Sequence, residues 1–487
     1  MRLKDVIAEI EEHRVEGATD IDISGLACDS RRVKGGDLFF CIRGLKTDGH
    51  RFALRAQEAG ASAVMVEEAL PDLSITQVVV ADTRAGMARA ASAFYGHPTR
   101  KMKLVGVTGT NGKTTTTYMI DSIFRSSGLK TGLIGTIEYR IGDEVLDVER
   151  TTPESLDLQR LFASMVDAGV EAAAMEVSSH AIDLARVEAC DFNALVFTNL
   201  SQDHLDYHET IEEYFEVKKS IFERTAATEV AHIINADDQF GRRIIDEVGS
   251  GQIRFSCKDK VEVYATGIGA RADGSEFELH VPGARSSIAL KMPGMFNIEN
   301  ALAAAGAAYS QGIGIETIKT GLEALNAVPG RFERIDCGQG FSVIIDYAHT
   351  PDSLEKALLA AREITAGRLI TVFGCGGDRD RGKRPLMGGI GTQLSDFTIL
   401  TSDNPRSEEP GKIIEQIAAG TVTRNGNSLQ VIEDRRLAIK EAIAMAVDGD
   451  TVIIAGKGHE GGQEIKGEKL PFDDGAVARA CLEGLKG

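Results

Sequence analysis

Apolar and polar positions run along this chain in short blocks, and the rhythm of the blocks changes twice. Residues 1–100 open with a short helical pattern. IDISGLACDSRRVKGGDLFFCIRG follows, its apolar runs separated by Gly-Gly-Asp turn signals. A helical stretch over residues 52–60 and the strand-like AVMVEE and QVVVAD complete what reads as a small α/β domain. The polar, proline-containing GHPTRKMK (96–103) reads as a linker.

From Lys103 the pattern becomes strand, glycine-rich turn, helix: LVGVTGTNGKTTTTYMIDSIF. Further strands are predicted at 131–137, 171–177, 194–200 and 229–235, with helical patterns between them, which argues for a doubly wound parallel sheet. EVYATGI, EFELHVPG and SSIALKMPG read as a small antiparallel insertion, and NIENALAAAGAAYSQG with the next helix closes the region near Gly330. The βα rhythm then restarts with strands at 341–347, 368–374, 396–402, 428–434 and 451–458. All but the last precede an amphipathic helix, as in a Rossmann-like sheet. At about 150 residues per domain, 487 residues accommodate three. The expected class is α/β: a small N-terminal α/β domain (1–100), a central P-loop domain with a mainly parallel sheet (101–331), and a C-terminal Rossmann-like domain (332–487).

Composition narrows the function. Hydrophobic residues at 43% suffice for packed cores. A formal charge of −19 speaks against binding nucleic acid or an anionic membrane through bulk electrostatics. No apolar run approaches a membrane span, and the first ten residues mix Lys4, Asp5 and Glu9 where a signal peptide needs an apolar core. A cytoplasmic protein is expected, and a monomer. Seven cysteines without a CxxC pair read as reduced thiols with no catalytic constellation.

The stretch Gly109-Thr110-Asn111-Gly112-Lys113-Thr114-Thr115 sits between a strand and a helix. Glycines there let backbone N–H groups approach phosphate oxygens, Lys113 neutralises charge, and the Thr114 hydroxyl can ligate Mg²⁺. Strict Walker spacing would put glycine at 107, which is Val107. A P-loop alone is compatible with a kinase, a nucleotide switch or a ligase.

The variant TGTNGKTTT resembles that of the Mur ligases and the related folylpolyglutamate synthetases. Other family segments follow in order: MEVSSH (175–180), TNLSQDHLD (198–206), YFEVK (214–218), NIEN (297–300), PGRFE (329–333), DYAHTP (346–351), GDRD (377–380), DNPR (403–406) and GKGHE (456–460). The resemblance covers residues 29–460 and is closest to the diaminopimelate-adding branch. It implies an ATP-dependent amide ligase that adds meso-2,6-diaminopimelate to UDP-N-acetylmuramoyl-L-alanyl-D-glutamate through an acyl phosphate, for peptidoglycan precursor synthesis.

The resemblance also implies roles. Lys113, Glu176, His204 and Lys218 would be catalytic, with Thr114, Glu176, His204 and Lys218 serving Mg²⁺. Glu176 ends an apolar strand, where ligands gather in open α/β sheets. Read without the family, a strand-end Glu could be solvated and a His after Gln-Asp could cap a helix. YFEVKKSIF reads as an amphipathic helix with two solvated lysines. In the family, the lysine matching Lys218 reacts with CO₂ to become a carbamate (N6-carboxylysine), which requires a site that favours the neutral amine. Asn297, Arg331 and Asp346 match family contacts to ATP, with Asn297 alternatively an N-cap of its helix. Arg331 and Asp346 flank the second boundary, so domain closure is expected to gate catalysis.

Ser30 and the loop 44–47, with Thr151, Thr152, Ser178 and Arg186, match contacts to the UDP-precursor. Leu184 stands where a relative has Gln. Asp403, Asn404, Pro405 and Arg406, with Arg379, Gly456 and Glu460, match contacts to diaminopimelate. Arg406 would fork onto its distal carboxylate, which lysine lacks, and Glu460 would meet an ammonium group. DNPR could otherwise be a plain turn. Alternatives are a lysine-adding, dipeptide-adding or folylpolyglutamate relative, and, from another class, a non-catalytic nucleotide switch.

Overall fold

A computed structural model of the chain describes residues 1–485 apart from 45–46, 204–206, 250, 272–273 and 423–427. The fold is mixed α/β, with an N-terminal, a central and a C-terminal sheet. The chain packs as two compact units that do not follow its order. One comprises Met1–Thr108, Gly128–Val196 and Val217–Ala231, the other Gly109–Ser127, Phe197–Glu216 and His232–Gly487.

In the first unit, five strands lie in the order His13–Glu16, Thr76–Val80, Ala63–Val66, Asp37–Phe40, Gly25–Ala27, parallel except for the first. Asp37–Phe40 and Ala63–Val66 are buried at every position, which explains their unbroken apolar reading. The helix Thr83–Phe94 starts where Asp82 accepts from the backbone N–H groups of Arg84 and Ala85. The segment expected as a linker contains a packed 3₁₀ turn, Pro98–Lys101, with Pro98 and Thr99 buried. The Thr99 hydroxyl donates to Asp191 at 2.9 Å, so this polar segment is tied down by a distant carboxylate. Lys103–Thr108, Ala172–Glu176 and Thr131–Ile134 pair in parallel. The antiparallel hairpin Tyr139–Ile141/Glu144–Leu146 then extends them.

In the second unit, Ala231–Asn235, Gln252–Ser256 and Val263–Arg271 run parallel, and Gly274–Val281 and Ala284–Leu290 continue antiparallel. The three segments read as an insertion are therefore an extension of the sheet. Gln252–Ser256, the strand that joins them to it, alternates Gln252, Arg254 and Ser256 with only two apolar residues and so does not stand out in sequence. The helices Met295–Ser310 and Ile315–Ala324 pack beside Lys113–Ser126. Gly321 permits the close approach: a Cβ there would lie 2.4 Å from the Ile123 Cα.

Six strands form the C-terminal sheet in the order Glu333–Ile335, Ser342–Asp346, Thr451–Ala455, Leu369–Phe373, Phe397–Leu400, Ser428–Val431, all parallel but the first. Two elements beyond the rhythm follow the central strand Thr451–Ala455: a hairpin (Gly462–Ile465/Glu468–Pro471) and the helix Asp474–Gly484. The helix is anchored by a fully buried two-point pair from Arg435 to Asp474, at 2.8 and 2.7 Å. No helix among the described residues is long and apolar enough to cross a membrane.

Candidate active site

The phosphate-loop candidate lies in the second unit. Gly109 has φ +145°, and a Cβ there would stand 2.0 Å from the Thr198 hydroxyl. Gly112 has φ +85°, and its Cβ would meet Asn300 Oδ1 at 2.3 Å, so neither position admits a side chain. The loop is tied to TNLS: Thr110 N donates to the Asn199 carbonyl at 2.8 Å, Asn111 N donates to Asn199 Oδ1 at 3.0 Å, and Thr198 Oγ1 donates to the Asn111 carbonyl at 2.6 Å. Lys113 begins the helix and its Nζ donates to the Gly109 and Thr110 carbonyls at 2.9 and 2.8 Å. Thr114 and Thr115 are buried.

Arg331 meets this loop. Its Nη2 donates to Thr114 Oγ1 at 3.0 Å, and its guanidinium lies 4.4 Å from the centre of the Tyr347 ring. Its Nε is a buried N–H without an acceptor among the described residues, a group that an anionic ligand would satisfy. Asp346 accepts from the backbone N–H groups of Phe332 at 2.7 Å and Ala348 at 2.8 Å. Burial pushes its carboxyl above the usual carboxylate range. Asn297 does not cap its helix, which begins at Met295 after Gly294. The buried Asn297 amide donates back to the Pro293 carbonyl at 2.8 Å. A further tie was not anticipated: Asp352 accepts from Asn111 Nδ2 at 2.7 Å, Lys356 at 3.0 Å and Ser201 Oγ at 3.1 Å.

In the same unit a cavity of about 180 Å³ brings together Arg379, Asp403, Asn404, Arg406, Gly456 and Glu460. Tyr347, His349, Asp203 and Lys383 also line it, although only the family motifs around the first three drew attention to that part of the chain. DNPR is more than a turn. Arg406, at φ +51°, donates from Nη1 to the Gly377 carbonyl at 2.7 Å, while its Nε is 3.3 Å from Glu464 in the C-terminal hairpin. A Cβ on Gly377 would lie 1.9 Å from the Pro405 carbonyl oxygen, so this close approach requires glycine.

Below the loops, fully buried Arg384 pairs with Glu408 at 2.9 Å and donates to the Gly376 carbonyl at 3.1 Å. Hydrogen bonds from Arg384 hold the Glu408 carboxyl at about 2, below its usual 4.5. A lowered carboxylate pKa stabilises the fold above the ordinary value and loses that contribution as pH falls toward the lowered one. The wild-type melting temperature is therefore expected to drop between about pH 4.5 and pH 2. Glu408→Gln should melt lower at neutral pH and lose less over that window. Parallel melting curves for the two proteins would contradict the assignment.

The first unit gathers a second cluster. Glu176 ends its strand but is only 1% exposed. Its carboxylate accepts from Thr136 N at 2.7 Å and Thr136 Oγ1 at 3.1 Å, so the solvated reading is wrong. Thr151 Oγ1 is 3.1 Å from Thr136 Oγ1, and Thr152 Oγ1 donates to the Glu176 carbonyl at 2.8 Å. The Ser178 hydroxyl caps the short helix Ser179–Asp183. Arg186 donates to the Thr152 carbonyl at 3.1 Å and pairs with Glu154 at 2.9 Å, and its buried Nε has no acceptor among the described residues. Leu184 ends the same short helix. Ser30 sits half-buried in a turn where Arg31 holds Asp29 at 2.7 Å. In the expected contact loop 44–47, Gly44 N donates to the Thr47 carbonyl at 2.9 Å, while 45–46 lie outside the described residues.

The two lysines of YFEVKKSIF are not solvated: Lys218 is 1% and Lys219 8% exposed. They part in direction. Lys218 Nζ donates to Thr108 Oγ1 at 3.2 Å, at the last residue of the strand leading into the phosphate loop, whereas Lys219 pairs with Glu223 at 3.3 Å. His204 lies outside the described residues. Among those described, no group of three or more His, Cys, Asp or Glu is arranged to hold a metal ion. The hydroxyl of Thr114 and the carboxylate of Glu176 are nonetheless hard oxygen donors, of the type Mg²⁺ takes.

Comparison with known proteins supplies the context. Family models match residues 22–95 (Mur ligase family, catalytic domain), 107–308 (Mur ligase middle domain) and 330–458 (Mur ligase, glutamate ligase domain). A Clostridium tetani protein named UDP-N-acetylmuramoyl-L-alanyl-D-glutamate–2,6-diaminopimelate ligase is 44% identical over 491 residues, covering 100% of both chains. A Geobacillus kaustophilus protein of the same name is 45% identical, covering 99% of each. A solved structure titled with that ligase name superposes with a TM-score of 0.73 at 30% identity, covering 100% of this chain and 99% of its own.

Proposed function

Because the chain belongs to the Mur ligase family, we propose that it is the ATP-dependent ligase that adds meso-2,6-diaminopimelate to UDP-N-acetylmuramoyl-L-alanyl-D-glutamate in the cytoplasm. The observation that carries this reading is the cavity in which Arg379, Asn404, Arg406 and Glu460 converge. It offers two guanidinium groups and a carboxylate to a ligand bearing both carboxylate and ammonium groups.

The free carboxylate of the precursor's D-glutamyl residue is a poor acyl donor, so its oxygen attacks the γ-phosphorus of ATP and ADP leaves. The amine of diaminopimelate then attacks the acyl carbon of the resulting acyl phosphate, and the C–O bond to phosphate breaks. The first step joins two anions and requires cations around the phosphate oxygens. Lys113 and Arg331 are assigned that work, with the loop 109–115 cradling the phosphates through backbone N–H groups and Asn297 and Asp346 contacting the nucleoside. Mg²⁺, held by Thr114, Glu176, His204 and a carbamate on Lys218, would supply further positive charge. Ser30, Thr151, Thr152, Ser178 and Arg186 are assigned to the precursor, and Asp403, Pro405 and Gly456 shape the amino-acid cavity. Carbamylation adds the Lys218 nitrogen to the carbon of CO₂ with loss of a proton, turning a buried cation site into an anionic one. The burial of Lys218 beside Thr108 supports this, since burial favours the neutral amine that reacts.

Phosphate release tests the whole scheme. It is expected only when ATP, the UDP-precursor and meso-diaminopimelate are all present. Release with ATP alone would favour the nucleotide switch, and preference for L-lysine would favour the lysine-adding branch.

A further inference from the structure

Lys457 lies in GKGHE but carries none of the roles above, and its side chain is fully buried beneath the amino-acid cavity. Its Nζ donates to Asn404 Oδ1 at 2.9 Å and to Glu460 Oε2 at 3.1 Å, and stands 3.7 Å from Asp403 Oδ1. The backbone N–H of Glu464 reaches the same Asn404 oxygen at 3.0 Å. An ammonium group and a backbone N–H can only donate, so the amide atom facing both must be the oxygen. The Asn404 Nδ2 is thereby turned toward Glu460, to which it donates one proton at 2.7 Å. A second N–H remains on a residue that lines the cavity.

We infer that Lys457 is a positioning residue that locks the Asn404 amide with its donor edge toward the ligand. Position 404 then favours an amino acid with a second, distal carboxylate over one ending in an ammonium group. Lys457 also offsets the charges of Asp403 and Glu460, which would otherwise repel that carboxylate. This inference rests on the reading that the cavity receives diaminopimelate.

The test uses the full-length enzyme with ATP and the UDP-precursor, and compares kcat/KM for meso-diaminopimelate and L-lysine in the wild type and in Lys457→Met. The diaminopimelate-to-lysine ratio is expected to fall about tenfold or more through a higher KM for diaminopimelate, as loss of a charge-assisted hydrogen bond implies. KM for ATP and for the precursor should stay unchanged. A merely structural role would depress both amino acids alike and preserve the ratio. Lys457→Leu, which likewise removes the donor to Asn404, serves if the Met variant does not fold. A wild-type ratio in a folded variant of either kind overturns the lock. A wild type that releases no phosphate with diaminopimelate overturns the reading of the cavity itself.

Discussion

Lys218→Ala is expected to lower kcat for diaminopimelate-dependent phosphate release by about three orders of magnitude, the scale of losing a charge-stabilising group at a phosphoryl-transfer centre. The lysine is 1% exposed and donates to Thr108, the last residue before the glycine-rich loop. Burial of an amine disfavours its charged form, and the neutral amine is the form that reacts with CO₂. As a carbamate it would offer an oxygen ligand to Mg²⁺. Bicarbonate should therefore raise the activity of wild-type enzyme held in CO₂-depleted buffer and leave the Ala variant unchanged. Lys218→Glu restores none of the activity, or only part, because its carboxylate sits on a shorter stem. Full activity of Lys218→Ala would exclude both the carbamate and any catalytic role. The neighbouring Lys219, paired with Glu223, supplies the control: Lys219→Ala should keep most of its activity.

Arg406→Ala is expected to cost about two to three orders of magnitude in kcat/KM for meso-diaminopimelate, as removing one partner of a desolvated ion pair does. The side chain is held on two sides, by the Gly377 carbonyl and by Glu464. Its guanidinium is thus fixed before the ligand arrives, and little side-chain entropy is lost on binding. L-Lysine lacks the distal carboxylate, so its much weaker use should change little and the preference should collapse. The decisive measurement is the ratio of kcat/KM for the two amino acids. An unchanged ratio would mean that Arg406 does not read the carboxylate.

The βα rhythm was legible because strands such as Leu369–Phe373 and Thr451–Ala455 are buried at every position, so their apolar runs are unbroken. The hairpin Gly462–Ile465/Glu468–Pro471 escaped notice because it is short and carries polar residues, yet it supplies Glu464 to both Arg406 and Asn404. The glycine-rich strand–helix turn was readable because Gly109 and Gly112 answer local needs, at φ +145° and +85°. Arg384 and Lys457 were not readable as buried, because a charged residue gives no local sign that a carboxylate will meet it after folding.

By itself the sequence determined the α/β class and, through motifs in order, the ligase family. These depend on periodicity and on residue types at fixed local spacing, which folding does not alter. Only the tertiary structure decided that Glu176 and Lys218 are buried rather than solvated, that Asn297 sits within its helix, and that Lys457 sets the polarity of Asn404. Each of those depends on a partner brought close by the sheet or the hairpin, and on water being excluded around the pair. Neither condition is written at the position of the residue itself.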